Sequence, residues 1–192
     1  MRPLRRHRLA CPGVVLAALL GLAGPARGVD AGDGPALLAR LESSRWEGLS
    51  VRYPPSVLRI VQPPADQASA LDLEAERLMS EGRDLEVTIE ADDMAVGSAG
   101  EYIRIDLNTD LDTQPSVRET YRARGKTWEV ASGLIGDKVF YYKAVEFCPP
   151  VGCEIPVVSN IKFRYAASKK AEYDELLERM VRTFTPATGR LK

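Results

Sequence analysis

Residues 138–147, "KVFYYKAVEF", restrict the fold of this chain more than any other segment. In a strand, alternate side chains point to opposite faces of the sheet, and here both faces carry large apolar groups. The two sets are Val139, Tyr141, Val145 and Phe147 on one face and Phe140, Tyr142 and Ala144 on the other. A strand that is apolar on both faces lies inside a sheet with a layer on each side. The segment therefore predicts a sheet that is covered on both faces.

Several other segments predict strands. "WEGLSVRYPP" alternates Leu49, Val51 and Tyr53 with polar residues and stops at two prolines. "DLEVTIEAD" alternates in the same way, and "ETYRARGKTWEVA" and "NIKFRYA" are predicted as strands before and after residues 138–147. Gly133 and Gly136 mark the turn between the first of these two and the central strand.

The C-terminal region predicts a long helix. In "SKKAEYDELLERMVRTFTP", one apolar stripe is formed by Tyr173, Leu176, Leu177, Met180, Val181 and Phe184. Ser168 is a candidate N-cap, and Pro186 marks the end. The fold class is therefore predicted as α+β, an antiparallel β-sheet meander with a long C-terminal helix packed on it and covered on both faces.

Three segments are less regular. Leu37, Leu38 and Leu41 have helical spacing, so residues 34–46 predict a short helix at most. Residues 69–81 fit a helix and a strand equally well, and a strand there makes "SEGRD" the turn before "DLEVTIEAD". Between residues 94 and 115 only Ile103, Ile105 and Leu107 alternate, which predicts a strand from Tyr102 to Asn108 that runs into an acidic loop.

The N-terminus has the layout of a secretory signal peptide. A basic start is followed by a short apolar run and then by small residues, over residues 1–28. The predicted organisation is a signal peptide at 1–28 and one exported α+β domain at 29–192, periplasmic or secreted after cleavage near Gly28. A membrane association is expected only through an uncleaved signal.

The charge of the exported part is mildly acidic and uneven. All 27 acidic residues lie beyond residue 28, against 21 of the 26 basic ones, which gives a net charge of −6. This balance argues against nucleic acid as a partner. Residues 29–112 hold 7 basic and 18 acidic residues, whereas residues 113–170 hold 10 basic and 5 acidic ones. The imbalance indicates either two differently charged solvated faces or a docking surface with polarity.

Cys148 and Cys153 delimit "CPPVGC", a loop between two predicted strands. Disulfides form and persist in exported proteins, and two cysteines at the mouth of a hairpin loop can approach to bonding distance. The only histidine, His7, lies in the predicted signal, so a zinc site lacks ligands. We predict a structural disulfide between Cys148 and Cys153, which stabilises the fold by roughly 2 kcal/mol.

The order of these elements resembles the Mog1/PsbP-like group of α/β/α sandwich domains. The resemblance rests on the opening strand, Trp46-x-Gly48-Leu49-x-Val51-x-Tyr53-Pro54, and on the closing "IKFRYAASKKAEYDELLERMVRTF", a strand, a short break and a long helix. It implies a small extracytoplasmic domain that works by docking to a larger protein or assembly. It carries over no functional residue, and the Cys148–Cys153 loop is not part of the pattern.

Catalytic signatures are absent from the sequence. Without a histidine after residue 28, neither a Ser-His nor a Cys-His pair can form, and no glycine-rich phosphate loop is present. Paired carboxylates such as Asp92-Asp93 leave a carboxylate-based hydrolase as one alternative, because such sites are defined only in three dimensions.

A calcium site is the other alternative. Oxygen-bearing side chains occupy every second position in "DLNTDLD", as in short calcium loops, and the candidate ligands are Asp106, Asn108, Asp110 and Asp112. An EF-hand loop in this register needs glycine at 111 and glutamate at 117, where this chain has Leu111 and Val117.

Four aromatic residues in neighbouring predicted strands, Tyr121, Trp128, Tyr141 and Tyr142, either line a groove for a sugar or peptide or belong to the core. The function predicted from the sequence is a non-catalytic accessory or binding module without a cofactor. Its expected partner is another protein of the envelope or secreted fraction.

Overall fold

The computed structural model describes residues 38–62, 75–93, 97–113, 116–148 and 156–190, with side chains to residue 109 in the third range. These residues all belong to one compact unit, Pro35–Lys192. The predicted signal at 1–28 lies outside them.

The described residues form eleven strands and two helices. The strands are β1 (Ala39–Glu42), β2 (Trp46–Glu47), β3 (Ser50–Tyr53), β4 (Leu58–Val61), β5 (Glu76–Ser80), β6 (Leu85–Asp92), β7 (Val117–Arg124), β8 (Trp128–Ile135), β9 (Lys138–Phe147), β10 (Val157–Ala166) and β11 (Gly189–Arg190). The helices are α1 (Ala99–Thr113), between β6 and β7, and α2 (Lys170–Thr183), between β10 and β11.

Seven of the described strands build one antiparallel sheet in the order β4-β5-β6-β10-β9-β8-β7. Two separate apolar cores lie on its two faces. One joins the sheet to α2 and to β1–β3, and the other joins it to α1. The α+β class and the packing of the C-terminal helix on the sheet are therefore confirmed.

The inner strand β9 contributes to both cores, as its sequence predicts. Val139 packs in the core under α2, whereas Phe140, Tyr142 and Ala144 pack in the core under α1. Helix α2 buries the predicted stripe through Tyr173, Leu176, Leu177 and Met180. Its predicted cap is wrong, because a 3₁₀ turn at Ala167–Lys169 precedes α2 and no side chain caps the helix.

Residues 99–113 are a helix, so the strand predicted from Tyr102 to Asn108 is wrong. Ala99, Ile103 and Leu107, spaced four residues apart, face the core, while Ile105 is 46% exposed. The side chain of Ser98 accepts a hydrogen bond from the Glu101 N–H at 3.1 Å, and the Glu101 carboxylate accepts one from the Gly97 N–H at 3.0 Å. This Ser-x-x-Glu pattern is close to a capping box, a signal of a helix start that the alternation of apolar residues concealed.

Two other sequence predictions need correction. "ETYRARGKTWEVA" is two antiparallel strands, β7 and β8, because the chain turns at Gly125, whose N–H donates to the Trp128 carbonyl at 2.8 Å. The short helix predicted within residues 34–46 is a strand at Ala39–Glu42, where pairing with β3 overrides the helical spacing.

The ambiguity at residues 69–81 is resolved for its second half, since Glu76–Ser80 is a strand paired with β6. The hairpin predicted around "SEGRD" is therefore present. Arg83 occupies the left-handed region there, with φ 56°.

Candidate functional site

Three of the four candidate aromatic residues come together on the face of the sheet that carries α2. Tyr121, Trp128 and Tyr141 line one groove, and Tyr121 and Trp128 are 45% and 40% exposed. Tyr142 points to the opposite face, where it is buried in the core under α1. Of the two alternatives left open by the sequence, a groove position applies to Tyr121, Trp128 and Tyr141 and a core position to Tyr142, since neighbouring residues of one strand face opposite sides.

The groove exists because α2 covers only part of its sheet face. The helix packs mainly against β3 and β10, so β7, β8 and part of β9 extend beyond it. The groove has a volume of about 520 Å³. Its lining residues are Tyr121 and Ala123 from β7, Trp128 and Val130 from β8, Tyr141, Lys143 and Val145 from β9, and Val181, Phe184 and Pro186 from the end of α2 and beyond.

A β-bulge directs Tyr121 into the groove. The pairing of β7 with β8 shifts between Glu119 and Tyr121, which places Tyr121 opposite Ser132. Gly133 makes this possible, because a Cβ there would overlap the Arg118 carbonyl and lie 2.8 Å from the Glu119 Cα. The bulge therefore needs a residue without a side chain at this position.

An ion-pair network braces the same hairpin. The Arg122 guanidinium lies 2.6 Å from a Glu119 carboxylate oxygen and also pairs with Glu129. The hydrogen bond from Arg122 holds the pKa of Glu119 below its usual range. The network fixes the outer hairpin beside the groove.

A second depression continues the groove along α2. It has a volume of about 460 Å³ and shares Tyr141 with the first. Leu134 and Leu177 provide its apolar wall, and the Tyr165 hydroxyl donates to Asp174 Oδ1 at 2.7 Å at its polar end. The uncovered face is therefore one continuous, mainly apolar surface that starts at the outer hairpin.

Lys143 is the charged residue that lines the first of these two depressions, the groove with Tyr121 and Trp128. It is partly buried, and its cross-strand neighbours are Val130 on β8 and Ile161 on β10. Within the described ranges it has no ion pair or hydrogen bond, and burial alone lowers the pKa of its ammonium. The sequence patterns did not single out this residue, although a lysine between Tyr141 and Val145 on one apolar face of the strand was the available signal.

A buried charge cluster lies on the other face of the sheet, between α1, β6 and β10. Lys162 Nζ lies 2.6 Å from Asp106 Oδ2 and also forms an ion pair with Glu90. The Tyr102 hydroxyl donates to Glu90 Oε1 at 2.7 Å, and the Lys162 ammonium lies 5.5 Å from the centre of the Tyr102 ring. The side chains of the two acids and the lysine are at most 22% exposed.

Burial and the neighbouring charges shift the pKa values of the two acids and the lysine in the cluster. Burial raises the pKa of Asp106, and the nearby Lys162 offsets this only in part. For Glu90, burial also disfavours the charged form, but the Lys162 ammonium and the hydrogen bonds outweigh it and lower the pKa. For Lys162 the two carboxylates outweigh burial and raise the pKa. The arrangement holds one lysine charged between two acids, and it joins α1 to the sheet.

This geometry changes the interpretation of the candidate calcium ligands. Asp106 and Asn108 lie in α1, as do residues 110 and 112, so the acidic loop assumed for Asp106, Asn108, Asp110 and Asp112 is wrong. Residues two apart in a helix point in divergent directions, and Asp106 is engaged by Lys162. Among the described side chains, no three His, Cys, Asp or Glu residues are grouped so that they could hold a metal ion.

Cys148 follows the last residue of β9, whereas Cys153 lies outside the described residues. The disulfide between them therefore stays a prediction. Asp92 and Asp93 are at the end of β6, where Asp93 accepts two hydrogen bonds from Arg190 at 2.7 and 2.9 Å. That carboxylate is part of a contact between β6 and the C-terminal segment.

No protein-family model matches this chain, and no curated protein matches it. In the part of the chain that the structure describes, neither helix has the length and apolar character needed to cross a membrane.

Proposed function

We propose that this protein is an exported, non-catalytic binding module that docks to another protein of the envelope or secreted fraction through the groove beside α2. One observation carries the proposal: two large aromatic side chains, Tyr121 and Trp128, stand half exposed at the edge of an apolar depression of about 520 Å³. Exposed apolar surface of this kind is typical of interaction sites, and Trp and Tyr are enriched among the residues that contribute most to binding.

The surroundings of the groove support a role in docking. Its outer wall is a hairpin held by the Arg122 ion pairs and the bulge at Gly133, so the aromatic residues are presented on a rigid support. A preorganised surface loses little conformational entropy on binding. The groove is also built mainly from the basic segment of the chain, residues 113–170, which favours an acidic partner.

Site-specific photo-crosslinking tests this proposal. A benzophenone amino acid replaces Tyr121 in the groove, and the control carries it at Ile60, which is 53% exposed on the opposite edge strand β4. We expect one discrete product with a single exported protein from the groove position and none from the control. The purified pair should then associate, and Trp128→Ala should weaken the association at least about 10-fold, as for a central aromatic contact.

Three outcomes would contradict the proposal. Equal products from both positions would indicate non-specific contact. A product made only with a second copy of the chain would indicate a homodimer, and unchanged affinity in Trp128→Ala would place the contact elsewhere.

We also propose export with cleavage near Gly28 and a Cys148–Cys153 disulfide. A native mass spectrum of the protein purified from the exported fraction tests both, since the disulfide removes two hydrogens from the mass. A mass that includes residues 1–28 would refute the cleavage, and a mass that retains both hydrogens would refute the disulfide.

A further inference from the structure

Lys143 introduces a cation into the floor of the groove. It is the charged residue among the described groove-lining residues, and its neighbours across the strands are Val130 and Ile161. The aromatic residues Tyr121, Trp128 and Tyr141 surround the same space. A protein that only needed to fill this position of β9 would place an apolar residue there, as at Tyr141 and Val145.

The other lysine in the sheet interior illustrates what a buried ammonium requires. Lys162, on the opposite face, is paired with both Glu90 and Asp106. Lys143 has no such acid within the described residues, and because its side chain is only partly buried, solvent water can hydrate the ammonium. A docking partner that covers the groove would displace that water, and an ammonium left buried without an anion is strongly unfavourable.

We propose that the segment that docks in this groove carries a carboxylate flanked by apolar side chains, and that the carboxylate binds the Lys143 ammonium. This inference rests on the proposed function and specifies its partner, an acidic and apolar segment of another exported protein. The apolar side chains pack against Trp128 and Tyr141, and the carboxylate replaces the water lost by Lys143. A segment without an acid is rejected because it leaves Lys143 buried and unpaired.

Two small molecules test the contribution of the carboxylate without the rest of a partner protein. Phenylacetate and phenylacetamide have nearly the same shape, but only the first is charged at neutral pH. NMR titration of the isotope-labelled mature protein measures both affinities, and the shift of the Trp128 indole N–H reports binding at the groove. We expect phenylacetate to bind at least about 5-fold more tightly, because a hydrogen bond between charged groups is stronger than a neutral one.

Two variants assign the preference to Lys143. Lys143→Met should bind both probes equally while still shifting the Trp128 signal, and Lys143→Arg should keep the preference for phenylacetate. If the amide binds equally well to the unmodified protein, if the preference persists in Lys143→Met, or if neither probe reaches the groove, the inference is wrong.

The outcomes separate this inference from the proposed function. If position 121 gives a specific cross-link but the protein binds both probes equally, the proposed docking function stands and the proposal of an acidic partner segment is wrong. A fatty acid retained in the native mass spectrum, shifting the same groove signals, would replace the protein segment by a small-molecule ligand. Loss of the cross-link together with loss of probe binding would overturn both.

Discussion

The cluster around Lys162 allows a quantitative test of how α1 is held on the sheet. Replacing Lys162 by methionine retains most of the aliphatic stem but removes the cation between Glu90 and Asp106. The lysine side chain is 15% exposed and those of the two acids are 16% and 22% exposed, so water can compensate little. Asp106 can become protonated at modest cost because its pKa is already raised, whereas Glu90 loses the ammonium that offsets its burial and holds its pKa below the usual range.

Removing one partner of a buried ion pair costs about 3–5 kcal/mol. For a unit of 150–250 residues, each kcal/mol lowers the melting temperature by about 2–4 °C. We therefore expect Lys162→Met to melt roughly 6–20 °C below the unmodified protein. The double variant Lys162→Met/Glu90→Gln removes the orphaned charge as well, and it should regain at least half of the loss in a double-mutant cycle.

Urea denaturation and thermal melting followed by circular dichroism at pH 7 provide the measurement. The matched control is Arg182→Met, whose ion pair with Glu178 is on the surface, with side chains 74% and 57% exposed. That variant should lose less than about 1 kcal/mol. If Lys162→Met loses no more than the control, or if the double variant loses the sum of its single changes, the cluster does not act as a buried charge pair.

Three further predictions follow from the two faces of the sheet. Gly133→Ala should lower the free energy of unfolding by about 1–3 kcal/mol, because the added Cβ would overlap the backbone of the bulge. The control Gly82→Ala, where there is room for a Cβ, should change the free energy of unfolding little. Similar urea midpoints for the two variants would contradict this prediction. Lys143→Met should be more stable than the unmodified protein at pH 7. Since the folded pKa of Lys143 lies below 10.5, the unfolded state binds more protons, and the stability advantage of Lys143→Met should shrink as the pH rises towards 10.5. A difference in stability that does not change with pH would show that the buried ammonium is not its cause. Millimolar calcium should leave the melting temperature unchanged because Asp106 is engaged by Lys162, and a rise that Asp106→Asn abolishes would restore the calcium hypothesis.

The groove and the charge cluster have different consequences for function. Both contain a lysine close to the middle of the sheet, but only the one in the charge cluster is paired with an acid among the residues that the structure describes. Lys162 therefore stabilises the attachment of α1, whereas we propose that Lys143 binds an anion from outside. A lysine therefore contributes to stability on the face that carries α1 and, in our proposal, to binding on the face that carries α2.

Local sequence was sufficient to predict a helix or strand where the element buries one continuous apolar face. The stripe of α2 and the alternation in β6 each had one interpretation, because a periodic apolar face packs in one way only. Local sequence was insufficient for α1, whose residues Ile103, Ile105 and Leu107 alternate like a strand. Ile105 is exposed, and the cap at Ser98 and the sheet above Ile103 determine the helix.

What the sequence determined by itself is the α+β class, the strand that is apolar on both faces, the C-terminal helix and the presence of aromatic residues in neighbouring strands. These follow from hydrophobic period and composition, which act over a few residues. What only the tertiary structure decided is which aromatic residues share a face, that α2 leaves part of β7–β9 uncovered, and that Lys143 has no counter-ion among the described residues while Lys162 has two. These depend on the order of strands in the sheet, which brings together residues far apart in the chain and is not encoded in any single segment.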